Sequence, residues 1–221
     1  LTRARNRPCG ETDDGILAAQ EALKEGVDAV YAAQSAEEVL GIEGNCAHRY
    51  FGVFGKLLNG DMAFRLRTKR PPLDPVNAAL SFVYTLYTNE FASALETVGL
   101  DSYIGYYHAL RSGRDSLACD LVEEARCIAE RFILTLFNLK ILTEKDFSTQ
   151  VTGAVQLNDE GRRKLLTQWQ EKKRGDILHP YLNQKIQLGL LPYVQSNLLA
   201  NRLVELPLAY AGARLAERRE R

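Results

Sequence analysis

The sequence predicts a mainly α, multi-helix protein with at most one small β-hairpin. Two observations carry that prediction. Apolar side chains recur three and four residues apart over most of the 221 residues, the spacing that gathers them on one face of a helix. Several of these runs open on a capping residue, and only one short stretch, STQVTGAVQL, has a strand-like pattern.

Thr12-Asp13-Asp14 caps a first helix that should run to about Lys24. Ser35-x-x-Glu38 fits a capping box and starts the helix carrying Glu43, Ala47, Tyr50 and Phe54. The basic run RLRTKRPP at 65–72 is expected to be a mobile loop. Asp74-Pro75 is a strong helix start, with Pro at the first helical position. Val76, Leu80, Val83, Tyr87, Phe91, Ala94 and Val98 then form one stripe, and Gly99 ends it. Asp115-Ser116 opens another helix, with Leu117, Leu121, Ala125, Ile128, Phe132, Leu136 and Leu139 on one face. Val151 and Val155 flank Thr152-Gly153-Ala154, which predicts the hairpin. Asn158-Asp159-Glu160 caps the basic helix RRKLLTQWQEKKR. A last apolar helix covers Leu190 to Leu203 and should bend near Pro207.

The chain is long enough for one sizeable core, with two lobes possible. Its 28 basic and 28 acidic residues cancel, so net charge selects no partner and any nucleic-acid surface must come from local clustering. Cys9, Cys46, Cys119 and Cys127 form no C-x-x-C pair and read as reduced thiols of a cytoplasmic protein. No apolar run reaches membrane-spanning length, so no membrane partner is expected. The chain does not begin with Met, and its basic opening LTRARNR reads as the end of a helix from a longer polypeptide.

Four residues carry the chemistry: Glu43 in GIEGN, His108 in YIGYYHAL, and Asp120 and Glu123 in SLACDLVEEAR. Asp120 shares a helix face with Glu123 or Glu124. Close carboxylates repel, and a divalent cation relieves the repulsion. His108 stands just before the loop into that helix, whereas Glu43 must arrive from a distant one. Carboxylates plus one imidazole suit Mn²⁺ or Mg²⁺ better than structural zinc. Solvated surface acids and a hydrogen-bonded core histidine fit the same spacing. Gly44 beside Glu43 costs helix stability unless something approaches closely there. Phosphate-binding cations are sought in Arg65, Arg67, Lys69 and Arg70 of the loop and in Arg111 and Arg114 beside His108. Arg162, Arg163, Lys164, Lys172, Lys173 and Arg174 fall on more than one helix face and fit a solvated surface equally well. Tyr84, Tyr87 and Phe91 are expected in the core. Of Tyr103, Tyr106 and Tyr107, one is expected to reach DNA and two to pack.

These residues also carry a resemblance. GIEGNCAHRYF resembles the helix with the first metal-binding glutamate of the CRISPR-associated integrase Cas1. The stretch from RPPLDPVNAAL through YIGYYHAL to DLVEEAR resembles that family's core run, and LTRARN resembles the end of its inter-domain helix. The resemblance covers nearly the whole chain. It implies Glu43, His108 and Glu123 as metal ligands for Mn²⁺ or Mg²⁺ and Asp120 as the nearby catalytic acid. Asn45 and Arg49 follow the glutamate in the family's manner, and Asn77 and Tyr84 sit in the DPVNAxLSFxY run. The implied protein is a metal-dependent DNA endonuclease and integrase that inserts prespacer DNA into a CRISPR repeat by 3′-hydroxyl attack. Its implied partners are DNA, a second Cas1 copy as a homodimer, a Cas2 dimer, and Cas4 as a fused or separate protein. The implied division is the end of the inter-domain helix at 1–10, a helical catalytic domain at 11–206 and a tail at 207–221. The family's N-terminal β-rich domain is absent from this sequence, and VELPLAYAGARLAERRER does not align with the family. A non-catalytic helical scaffold and a repair nuclease for branched DNA are the competing readings.

Overall fold

A computed structural model describes residues 13–59 and 62–204. The chain opens with α1 (Asp14–Ala32) and α2 (Ala36–Phe54). It continues through α3 (Pro75–Thr97), α4 (Ser116–Asn138), the hairpin β1 (Phe147–Thr149) and β2 (Val155–Leu157), and α5 (Asp159–Arg174). A second hairpin, β3 (Asp176–His179) and β4 (Gln184–Gln187), precedes a final helix α6 over 191–204. The mainly α class stands, with two small antiparallel hairpins rather than the single one expected. The second is hard to read because its strands are short and polar, with Ile177 opposite Ile186 as their apolar pair.

The helix starts follow their capping residues. Asp13 accepts from Gly15 N–H and Ile16 N–H at the start of α1. Ser35 accepts from Glu38 N–H at 3.2 Å, but the Glu38 carboxylate reaches back to Gln34 N–H rather than Ser35 N–H, so the box is only half closed. Asn158 Oδ1 accepts from Gly161 N–H at 2.9 Å and opens α5. Gly99, at φ +80°, ends α3. The first helix outruns its expected end at Lys24 because Gly26 lies against α2: a Cβ there would collide with Cys46 Sγ.

The described residues fall into two compact units, those up to Ser81 with Glu130–Leu165, and Phe82–Ala129 with those from Leu166 onward. The core of the first holds Phe51, Phe54 and Phe64 together with Leu80, Ile133, Leu136 and Leu165. Phe54 and Phe64 pack at 5.0 Å between ring centroids. Leu139 is exposed, because α4 ends one residue before it. The segment 65–72 is not the loose loop expected. Asn77, fully buried on α3, accepts from Thr68 N–H and Arg67 Nη1, and donates to Leu66 C=O at 2.8 Å. Arg67 Nη2 reaches Ser81 Oγ, and Pro72 C=O accepts from Val155 N–H.

In the same unit Asp146 closes a turn. It accepts from Thr143 N–H and hydroxyl and from Lys164 Nζ at 2.6 Å. Burial pushes its pKa up, but Lys164 and Thr143 outweigh that and hold it below the ordinary carboxylate value. A folded-state pKa below the unfolded value of about 3.9 means stability that is complete above about pH 4. That stability is lost as pH falls through the lowered value. Urea unfolding at pH 6 and pH 3 should therefore show a larger loss for the wild type than for Asp146→Asn.

The second unit is built on Tyr87, Phe91, Leu95, Leu121 and Trp169, all buried. The Trp169 indole N–H donates to Glu90 at 3.1 Å, and Lys173 Nζ meets the same Oε1 at 2.7 Å. Burial, with the Glu90 charge, pushes the Tyr87 phenol well up. The cationic helix α5 is thus partly spent on structure: Lys164 and Lys173 are paired, and Arg162 Nε donates to Leu157 C=O. Arg163, Lys172 and Arg174 remain exposed. Cys46, Cys119 and Cys127 are free thiols. No helix among the described residues is long and apolar enough to cross a membrane. Residues 1–12, Pro207 and the segment 207–221 lie outside the described residues.

Candidate active site around His108 and Asp120

His108 is carried by a loop stapled at both ends. Asp101 Oδ1 accepts from Tyr103 N–H, and Ser102, 2% exposed, donates its hydroxyl to Asp115 at 2.8 Å. Ser102 C=O in turn accepts from Leu117 N–H at 2.8 Å, satisfying a first-turn amide of α4. The loop is thereby pinned where the helix begins, and its middle folds over the second turn.

Asp120 waits there, its side chain fully buried. Oδ2 accepts from Tyr106 N–H at 2.8 Å and Tyr107 N–H at 3.0 Å. Oδ1 accepts from His108 N–H at 2.9 Å and lies 2.7 Å from His108 Nδ1. Three backbone N–H groups can only donate, so Asp120 is an acceptor on both oxygens. The His108 contact is then Nδ1–H donating, which leaves Nε2 as the lone-pair nitrogen of the neutral ring. A buried carboxylate that fixes an imidazole in this way is the arrangement that orients metal-binding histidines. Gly105 is required by the crowding. A Cβ there would stand 2.8 Å from Asp120 Oδ2 and 2.9 Å from His108 C=O.

Glu123 lies three residues further along α4, one-third exposed. Its Oε2 accepts from Arg126 Nη1 at 2.6 Å. The Arg126 guanidinium sits over the Tyr84 ring, 5.0 Å from its centroid. Burial works against the Arg126 charge, but Tyr84 and Glu123 outweigh it and hold the guanidinium above its ordinary pKa. Arg114 turns inward, donating from Nε to Ser116 Oγ at 3.3 Å and from Nη2 to Ala109 C=O. Arg111 is exposed. Tyr103 and Tyr106 stand 49% and 66% exposed, so the expectation that two of the three tyrosines pack is overturned. Only Tyr107 is half-buried, edge-on to the His108 ring. The loop's hydrogen bonds run through its backbone and leave those two rings outside.

In the first unit Glu43 is half-buried on α2. Gly44 faces open space, with no described atom within 4 Å of a Cβ built there, so the close approach expected at that glycine is absent among the described residues. Asn45 and Arg49, one helical turn apart and exposed, line a groove between α1 and α2 with Gly26, Ala29 and Ile42. Arg65, Lys69 and Arg70 are exposed, while the Arg67 guanidinium is engaged with Asn77 and Ser81. Among the described residues no group of three or more His, Cys, Asp and Glu side chains is gathered to hold a metal ion. The donor types at the residues expected to hold one, carboxylates and an imidazole, are those that suit a divalent cation.

The fold is mainly helical, with a carboxylate-held histidine on a loop against the helix that carries Asp120 and Glu123. The family described as CRISPR associated protein Cas1 matches residues 1–171, and the chain belongs to it. It is 48% identical over 176 residues to the CRISPR-associated endonuclease Cas1 2 of Rhodospirillum rubrum, covering 78% of this chain and 51% of that protein. It is 44% identical over 197 residues to the CRISPR-associated endonuclease Cas1 1 of Moorella thermoacetica, covering 86% and 57%. A CRISPR-associated exonuclease Cas4/endonuclease Cas1 fusion of Geobacter sulfurreducens is 38% identical over 77% of this chain and 32% of its own length. The chain thus spans about half the length of the first two relatives. Among solved structures, a CAS1 protein from Thermotoga maritima superposes with a TM-score of 0.74 at 27% identity, over 83% of this chain and 57% of that one. A casposase bound to integration product shares the fold at 0.76 and 24% identity, over 82% and 51%. A Cas6-RT-Cas1–Cas2 complex shares it at 0.79 and 24%, over 93% and 22%.

Proposed function

We propose that this chain is the catalytic part of a metal-dependent DNA endonuclease and integrase that joins prespacer DNA to a CRISPR repeat. The carrying observation is the Asp120–His108 pair in a chain of the Cas1 family. The buried Asp120 carboxylate gives three acceptor contacts to the loop amides of Tyr106, Tyr107 and His108 and one to the imidazole, so it fixes both the loop and the ring it presents.

Glu43, His108 and Glu123 are the residues that would hold Mn²⁺ or Mg²⁺. When bound, the cation supplies Lewis-acid stabilisation of charge at the scissile phosphate. The chain's own contribution is positioning. Asp120 fixes the tautomer of His108 and the path of the loop. Arg126 holds Glu123 by one oxygen, and Tyr84 supports Arg126 from beneath. Arg111, Arg65, Lys69 and Arg70, with Asn45 and Arg49, are the groups that would meet phosphates, while Arg114 braces the loop through Ala109 and Ser116. The proposed partners are prespacer and repeat DNA, a second Cas1 copy, a Cas2 dimer and Cas4. Family membership supports these, as does a fold shared with part of one chain of a Cas6-RT-Cas1–Cas2 complex.

The test joins a DNA fragment bearing free 3′-hydroxyls to a supercoiled plasmid carrying a repeat, using the full-length protein, Cas2 and Mn²⁺. Glu43→Ala, His108→Ala and Glu123→Gln should each lower joining by at least about 100-fold. Intact joining in any of them removes that residue from the ligand set. Joining confined to repeat borders separates an integrase from a repair nuclease.

A further inference from the structure

His179 lies at the end of β3, 2% exposed, and no role described so far uses it. Its Nδ1 accepts from Leu182 N–H at 3.2 Å, and a backbone amide can only donate. The ring proton of neutral His179 is therefore on Nε2, which faces Gln195 Oε1 at 2.9 Å. That contact fixes the amide of Gln195: Oε1 accepts from His179, and Nε2 donates to the carboxylate of Glu124. These contacts run from the β3–β4 turn through α6 to α4. Glu124 is the neighbour of Glu123 and lies four residues from Asp120, on the same face as that carboxylate. Asp120 accepts from the amides of Tyr106, Tyr107 and His108, so Glu124 stands one helical turn from the carboxylate that anchors the His108 loop.

We propose that Gln195, itself oriented by His179, is a positioning residue that fixes the Glu124 carboxylate beside the His108 loop. There its negative charge strengthens the hold on a divalent cation. The inference rests on the metal-site reading above. It makes the β3–β4 hairpin and α6 part of the site's support, although neither carries a ligand.

Three measurements on the full-length protein test it. Imidazole ¹⁵N spectra should show His179 with Nδ1 unprotonated and Nε2 protonated; the opposite tautomer overturns the relay whatever the activity. Mn²⁺ titration read by the electron paramagnetic resonance of the free ion needs no turnover. There Gln195→Met and Glu124→Gln should each weaken binding about fivefold, and the double variant should be no weaker than Glu124→Gln alone. Gln195→Met also removes the partner of a buried ring N–H, so it should unfold at lower urea whether or not the inference holds. If it unfolds earlier yet binds Mn²⁺ as the wild type does, Gln195 is a packing contact only and the proposal fails. If the wild type binds no Mn²⁺, the metal-site reading falls, and this inference with it.

Discussion

Asp120→Ala is expected to lose both stability and strand joining. The substitution strands the amides of Tyr106, Tyr107 and His108 together with His108 Nδ1–H, around a carboxylate whose side chain is fully buried. Leaving several buried donors without an acceptor should cost about 3–5 kcal/mol, read as an earlier urea midpoint. Joining should fall by at least about 100-fold, since the loop that presents His108 loses its tether. Asp120→Asn separates the two effects. One oxygen survives, but the new NH₂ group must face amides that also donate. Asp120→Asn should therefore fold better than Asp120→Ala while still losing about 10–100-fold in joining. If either variant joins DNA within about threefold of the wild type, the carboxylate does not govern the histidine.

Gly105→Ala should be the other severe change, although it adds a single methyl group. The new Cβ would lie 2.8 Å from Asp120 Oδ2, 2.9 Å from His108 C=O and 2.9 Å from the Ser116 carbonyl carbon. Two of those neighbours are backbone and the third, Asp120 Oδ2, is held by two amides, so none can yield without disturbing the others. A cost of about 1–3 kcal/mol is expected from overpacking. More than about tenfold should be lost in joining, because misplacing a reacting group by a fraction of an ångström is enough for that. Gly52→Ala is the control. It sits on α2 facing open space and should be neutral or slightly stabilising, as alanine for glycine usually is within a helix. Thermal unfolding and the joining assay on both variants check the pair.

Helix starts were legible in the sequence because capping is local: Asp13, Ser35, Asn158 and the Asp74-Pro75 step each act within a few residues. The hairpin at Phe147–Leu157 was legible for the same reason, with Gly153 at φ +80° in its turn. The second hairpin was not, because its burial depends on His179, a residue whose partner lies 16 positions away. Asn77 was noticed only through resemblance. Its work is to satisfy the backbone of a segment about ten residues earlier, and nothing near it in the sequence announces that. In the site, the loop bringing His108 to Asp120 could be read from chain length. What could not be read was the division of labour on Asp120, which takes three amides as well as the ring. Nothing in the sequence marked Arg126, which in the structure is largely buried against Tyr84. Gly105 left only a faint mark, a glycine amid aromatics, and Gln195 left none.

The Asn77 clasp bears on how this protein would meet a polyanion. Arg65, Lys69 and Arg70 ride on backbone already held by a side chain at the start of α3. A phosphate arriving there finds the segment in place and need not compensate for ordering it. Association at this edge would then be governed by counterion release, steep in salt and nearly flat in temperature, without the heat-capacity change that accompanies coupled folding.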